Sequence, residues 1–361
     1  MSLKGYASRT FESPVSKRYA YVTGHDGNAR TQQVVISQEH EYAQNVKEAV
    51  CAVYAVAKSG KPVFRLERRR SGCEVLEPCK HGEQLMRALQ LPFEDIEATL
   101  PRHYFNPLFT LLRQCRDKHV PDGVLLSHWR SLIDFDACAL YTALEALVAD
   151  LREGLKEPAI ARDLDSSRRR SDKRWKSVKK TIYESIEDCS RLVAIRVDLH
   201  FHMATSLYPF APTVSEDEAC SYMVKFERFL RDRYPLVRYM WSQEYGTQTG
   251  FHFHVLVLLN GHLVRDAVGI AMAMGEHWQN VTTEGRGRYF NCNASEYRNP
   301  GLGMIERKNP AKVEALVEHV AWYLAKTDFW MRYRATGRSF VTSIRDRQPS
   351  AGGAKRSRDP T

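Results

Sequence analysis

The chain has 361 residues, 43% apolar and 27% charged, enough for two ordinary domains with a core in each. No apolar run approaches the roughly 20 residues a membrane helix needs, and MSLKGYASRTFESPVSKRY lacks an apolar signal core, so a cytoplasmic protein with no membrane partner is expected. The net charge of +10 is one-sided: residues 1–166 hold 22 basic and 22 acidic side chains, and the rest hold 31 and 21, which suits either a polyanionic partner, nucleic acid first, or a solvated basic surface with basic tails.

Residues 1–40 read as irregular, with a strand-like TQQVVIS. At 40–58, Tyr42, Val46, Val50, Val53 and Tyr54 recur at helical spacing. KPVFRLERRR reads as a short strand ending in the cluster Arg68 to Arg70. From about 82 to 155 the pattern is mostly helical, interrupted at Pro101 and Pro121, with DFDACALYTALEALVADLREGL as its clearest helix. DLDSSRRRSDKRWKSVKK (163–180) has few apolar anchors. It reads as a solvated linker or as a basic helix that touches phosphates, and the linker is the expectation. The eight scattered cysteines form no C-x-x-C pair, so reduced thiols are expected, not a zinc site or a disulfide framework.

The second half changes character. RLVAIRVDLHFHM alternates, with Val193, Ile195, Val197, Leu199 and Phe201 on one face of a strand. Ser215 and Glu218 form a capping box before a helix whose buried stripe is Tyr222, Met223, Phe226, Phe229 and Leu230. LVRYMWSQE (236–244) and FHFHVLVLLNG (251–261) are strands, followed by a helix at about 263–280. RGRYFNCNA (286–294) is a further strand. A helix at about 310–330 opens with Pro310 at its first turn, and RSFVTSI (338–344) is a last short strand. The expected fold is α+β: a C-terminal antiparallel sheet with helices packed on one face, preceded by a mostly helical N-terminal domain. The divisions are 1–162 for that N-terminal domain, 163–185 for a basic linker, 186–345 for the sheet domain and 346–361 for a disordered basic tail.

Three features of the sheet domain carry chemistry. His252 and His254 flank Phe253 on a strand, so both imidazoles point to one side, about 7 Å apart along it. Glu244 ends the preceding strand, and the short connection to Gly250 brings it back beside them. Two imidazoles and a carboxylate suit a divalent ion such as Mn2+ or Mg2+. Tyr323 and Lys326 lie one turn apart at the edge of a stripe made by Val313, Leu316, Val317, Val320 and Leu324. Taken singly, the histidines also fit a solvent-facing pair, Glu244 an exposed turn and Tyr323 an interfacial ring. The combination is more specific than its parts.

In this combination the sequence resembles the HUH (His–hydrophobe–His) endonucleases, which start rolling-circle replication. In detail it is similar to the inovirus gene II-type replication proteins with a YagK/YfjJ-type C-terminal domain. The resemblance runs from about Arg191 to Ile344 and rests on VAIRVDL, WSQEYGTQTGFHFHVLVLLNG, VAWYLAKTD and RSFVTSI. It implies that Glu244, His252 and His254 bind the metal, that Tyr323 is the nucleophile and that Lys326 assists it. The implied activity is nicking of single-stranded origin DNA, leaving a 5′-phosphotyrosine and a free 3′-OH for a host polymerase. A single tyrosine in the nucleophile region gives no support for a two-tyrosine scheme. A second H-x-H, His200-Phe201-His202, shares its polar face with Asp198. These histidines are read as DNA-facing or surface residues and as reserve ligands. Trp241, Trp322, Trp330, Tyr289 and Phe290 are candidate base-stacking rings. Arg286, Arg288, Arg332, Arg334 and Arg338 are candidate phosphate contacts. No G-x-x-x-x-G-K-[ST] loop occurs, so a host helicase is expected to separate strands. The alternative is a non-catalytic DNA-binding replication or regulatory protein of a phage or mobile element.

Overall fold

The computed structural model describes residues 38–120, 126–202, 213–246, 250–295 and 300–344; within them the side chains of 38–40, 323 and 326–328 are outside the description. The expected strand TQQVVIS and the tail 346–361 lie outside the described residues. Gln38–Ser59 forms helix α1, with Tyr42, Val46, Val50 and Val53 buried at the spacing expected of a core-facing stripe. Strands β1 (Phe64–Arg68) and β2 (Glu74–Pro78) form an antiparallel hairpin, and the cluster Arg68 to Arg70 marks its turn. Helices α2 (Lys80–Leu89), α3 (Phe93–Thr99), α4 (Pro107–His119) and α5 (Asp134–Gly154) follow. At the break made by Pro101 lies a short strand that the local pattern does not announce, β3 (His103–Phe105).

Residues 163–185 are not a linker. They are the body of a 31-residue helix, α6 (Pro158–Asp188). Its apolar anchors are few but correctly spaced: Trp175, Val178, Ile182 and Ile186 are buried along one side, and basic residues occupy the other.

The main sheet contains β4 (Arg191–Phe201), β5 (Leu236–Gly246), β6 (Gly250–Asn260), β7 (Gly287–Asn291) and β8 (Gly303–Glu306). A separate strand, β9 (Met331–Tyr333), pairs with β3, and β10 (Phe340–Thr342) closes the main sheet at one edge. The order is β10-β5-β6-β4-β7, and all pairs are antiparallel. β8 pairs with the first part of β4 and β7 with its last part. Two helices, α7 (Glu216–Arg233) and α8 (Ala267–His277), cover one face. Ser215 and Glu218 cap α7 reciprocally, as the sequence requires. Met223, Phe226, Leu230 and Met274 pack there against Val193, Ile195, Val197, Phe253 and Val255.

The opposite face is two materials in one. Its lower half, Leu192, Ala194, Met240, Leu256 and Leu258, packs against α6 and against the 310–330 segment. That cluster continues without a break into the N-terminal helices through Val46, Leu108 and Leu144. Its upper half carries Asp198, His200, Ser242, Glu244, His252 and His254. The 310–330 segment is helix α9 (Pro310–Ala315), a π turn (Leu316–Ala321) and helix α10 (Trp322–Trp330). Its expected stripe, Val313, Leu316, Val317, Val320 and Leu324, is buried throughout. Among the described residues no helix is long and apolar enough to cross a membrane.

Candidate metal centre

Strand register builds the centre. Glu244 lies opposite His252, His254 opposite both Asp198 and Ser242, and His200 opposite His252. Side chains alternate between faces, so all of these groups project to the same side. The hairpin joining β5 to β6 closes through the pair Gly246 and Gly250. Gly250 has φ +65°, a conformation that side-chain-bearing residues rarely adopt.

The Nε2 atoms of His252 and His254 each lie 3.5 Å from Oε2 of Glu244. The two rings are edge to face with centroids 5.2 Å apart. The donor atoms of the three residues all lie within 4.8 Å of one another, a spacing able to hold a metal ion. Side-chain exposure is 23% for Glu244, 12% for His252 and 7% for His254, so the cluster is sheltered but reachable.

The surrounding contacts aim the ligands. Nδ1 of His252 lies 3.1 Å from the Gly250 carbonyl. Nδ1 of His254 lies 2.9 Å from Oδ1 of Asp198. Each contact keeps a proton on Nδ1 and turns the Nε2 lone pair toward Glu244, the arrangement metal-binding histidines use. Asp198 is itself held by the buried Arg196 through two contacts of 3.2 Å. Oε1 of Glu244 is buried without a hydrogen-bond partner, so a cation beside this carboxylate meets an unmet demand. Two imidazoles and one carboxylate, with acceptors behind the imidazoles, form a donor set able to hold a divalent ion.

Electrostatics follow the same lines. Burial alone raises the pKa of Glu244, but His254 and then His252 outweigh it and hold the carboxylate well below its usual range. Burial also opposes ionisation of Asp198, and Arg196 and His254 overcome it. Burial works against a proton on His254, yet Asp198 and Glu244 raise its pKa to about 9.

The other sequence candidates separate sharply. His200 is half-buried beside the cluster: its ring stacks on His252, centroids 5.1 Å apart and planes 12° apart. Burial, followed by the neighbouring His252, pushes its pKa well below the ordinary value. His202 lies at the rim, its backbone N–H donating to the Arg286 carbonyl. Trp241, Trp322 and Trp330 are core residues, not stacking platforms. Each is 3–5% exposed; Trp241 projects to the α7 side and donates to Glu227, and Trp322 meets Trp175 edge-on. Tyr289 lies against Gly275 of α8, and Phe290 is buried. Arg286 is engaged by Glu218 and Tyr222, and Arg288 donates to the Phe201 carbonyl. Arg332 and Arg334 lie over the half-exposed ring of Tyr104, at 4.7 and 4.1 Å from its centroid. Arg338 is exposed.

Tyr323 and Lys326 stand in α10, and their side chains lie outside the described residues. α10 touches β5, the strand that carries Glu244, and leads directly into β9. Sequence reading missed one group near the centre altogether. His103, on β3, is 5% exposed; burial, opposed by the charge of Glu244, lowers its pKa to about 4. No local pattern marks it, because a strand pairing more than 200 positions away brings it there.

Residues 165–343 match the family model of the YagK/YfjJ C-terminal domain. No curated protein and no solved structure matches the chain.

Proposed function

We propose that the chain is a metal-dependent replication initiator that nicks single-stranded DNA by tyrosine transesterification. The reading extends the family match to the catalytic type suggested by the sequence motifs, for a cytoplasmic protein of a prophage, plasmid or inovirus-like element. The observation that carries it is the convergence of Glu244, His252 and His254, with donor atoms within 4.8 Å and both imidazoles locked by acceptors behind them.

A divalent ion bound there, Mn2+ or Mg2+, would supply Lewis-acid polarisation of the scissile phosphate. The protein groups do the rest. Glu244, His252 and His254 would hold the ion on the sheet, with Asp198 and the Gly250 carbonyl keeping the imidazoles in the ligating tautomer. The Tyr323 oxygen attacks phosphorus and loses its proton to solvent. The Tyr–O–P bond forms as the P–O3′ bond breaks, and the departing O3′ takes up a proton to become the 3′-OH. A phenol ionises near pH 10, so the cationic Lys326 one turn away favours the attacking phenolate. The product ester keeps the bond energy, and the strand can be rejoined without ATP. The π turn immediately before α10 supports a functional role for this helix, since π turns are rare and recur at functional sites. Gly301 packs closely against the start of this turn: a Cβ there would meet the Ala315 and Leu316 backbone at 2.6 Å. A host helicase and a host polymerase complete the reaction.

The test is covalent capture. Purified protein with Mn2+ and single-stranded origin DNA is expected to yield a protein–DNA adduct that survives denaturing electrophoresis. Tyr323→Phe should abolish the adduct while binding persists. Binding by wild type with no adduct overturns the reading in favour of a non-catalytic DNA-binding protein. Cleavage with no adduct indicates attack by water.

A further inference from the structure

The candidate metal centre has a supporting layer that is complete for two ligands. His252 is steadied by the Gly250 carbonyl at 3.1 Å and His254 by Asp198 at 2.9 Å. Glu244 spends Oε2 on the two imidazoles, while its Oε1 is buried without a hydrogen-bond partner. A second buried atom in the same neighbourhood has the complementary deficit. Nδ1 of His103 is also buried without a hydrogen-bond partner, and the adjacent Arg102 lies over the rings of Tyr245 and Phe251, the chain neighbours of Glu244 and His252, at 5.0 and 5.5 Å. A neutral imidazole protonated at Nδ1 is a donor, and a carboxylate oxygen is an acceptor. Buried polar groups are nearly always paired, directly or through an ordered water.

The fold holds His103 in place from two sides. β3 pairs with β9, His103 facing Tyr333, with the two rings 6.0 Å apart. Asn106 then clasps the end of α10: its backbone N–H donates to the Trp330 carbonyl at 2.9 Å and its Nδ2 to the Phe329 carbonyl at 3.0 Å. The same side chain accepts from the Leu108 N–H and caps α4. The segment carrying His103 is thus fastened to the tyrosine-bearing helix.

We propose that His103 is the positioning residue of Glu244, donating from Nδ1 to Oε1 through one bridging water, so that Oε2 stays aimed between His252 and His254. The inference rests on the metal-centre reading and adds to it. The helical N-terminal half, outside the family match at 165–343, completes the site.

Calorimetric titration of Mn2+ into the full chain tests this. His103→Leu keeps an apolar side chain against Tyr333 but removes the donor. It is expected to weaken Mn2+ binding about tenfold or more, the usual cost of losing an outer-shell partner. His103→Gln restores a donor of similar reach and is expected to recover most of that affinity. Both variants are checked for a cooperative melt. If His103→Leu does not fold, the ring nitrogen shifts of His103 in the wild-type chain decide. A proton on Nδ1 and a shift on adding Mg2+ support the inference, and an Nδ1 without a proton overturns it. Wild-type affinity in His103→Leu, with binding lost in His252→Ala, overturns the inference alone. Absence of Mn2+ binding by wild type removes the metal-centre reading and this inference with it.

Discussion

A proton and a metal ion compete for one atom, Nε2 of His254. In the metal-free fold, burial opposes charge on this ring, but Asp198 and Glu244 raise its pKa from 6.5 to about 9. The folded value stands above the unfolded one, so this proton stabilises the metal-free fold fully below pH 6.5 and the contribution disappears as pH rises through 9. Metal binding must expel it within that window. Mn2+ affinity is therefore expected to rise between pH 6.5 and 8, by up to about tenfold per unit, with close to one proton released. Calorimetry in two buffers of different ionisation heat measures that proton count. Binding that is flat with pH and releases no proton contradicts the assignment of His254. Trp241 lies on the same alternation as Tyr239, and both are buried on the α7 face, away from Glu244. Strand periodicity alone places it there, its parity opposite to that of Glu244.

At the scale of elements, α6 departs most from its sequence reading. Arg162, Arg169, Lys173, Lys176 and Lys180 are all exposed. At 3.6 residues per turn they form one stripe about 27 Å long, opposite Trp175, Val178 and Ile182. Arg169 and Lys180 meet Asp165 and Glu184 at 3.9 and 3.7 Å, exposed pairs worth at most about 1 kcal/mol and easily exchanged for phosphate. The helix also reaches the sheet edge near the metal face: Arg174 lies over Phe340 at 5.0 Å, and Phe340 pairs with Ser242. Changing Lys173, Lys176 and Lys180 together to Gln is expected to weaken single-stranded DNA binding. The slope of log affinity against log salt should fall by about 2, at roughly 0.7 for each phosphate that a lysine no longer neutralises. Fluorescence anisotropy across a salt series reads both quantities, and an unchanged slope assigns the stripe to solvent.

For the whole molecule, the decisive fact is one core crossing the expected domain boundary. Leu192, Met240, Leu256 and Leu258 of the sheet share it with α6, with Leu316 and Val320, and with Val46, Leu108 and Leu144 of the N-terminal helices. A fragment limited to residues 165–343 strips part of that cover and removes β3, the partner of β9. It is expected to bind hydrophobic dyes, to lose fixed aromatic circular dichroism and to bind Mn2+ less tightly than the full chain. A fragment that melts cooperatively and binds Mn2+ with full affinity would show that the N-terminal half is dispensable.

The local periods of the sequence determined a good deal: the alternation of β4, the capping box of α7, the buried stripe of the 310–330 helix, and the pairing of Glu244 with His252 across a short hairpin. Each depends on neighbours within a few residues or one turn of chain, where side-chain direction follows from backbone period alone. Tertiary structure alone decided that α6 is helical to the end of its basic run, that His200 lies inside the centre, and that His103 reaches the neighbourhood of Glu244. Those outcomes depend on which distant segments share a core or a strand ladder. The pairing of 103 with 333 is set by packing summed over the whole fold, and no period within either segment records it.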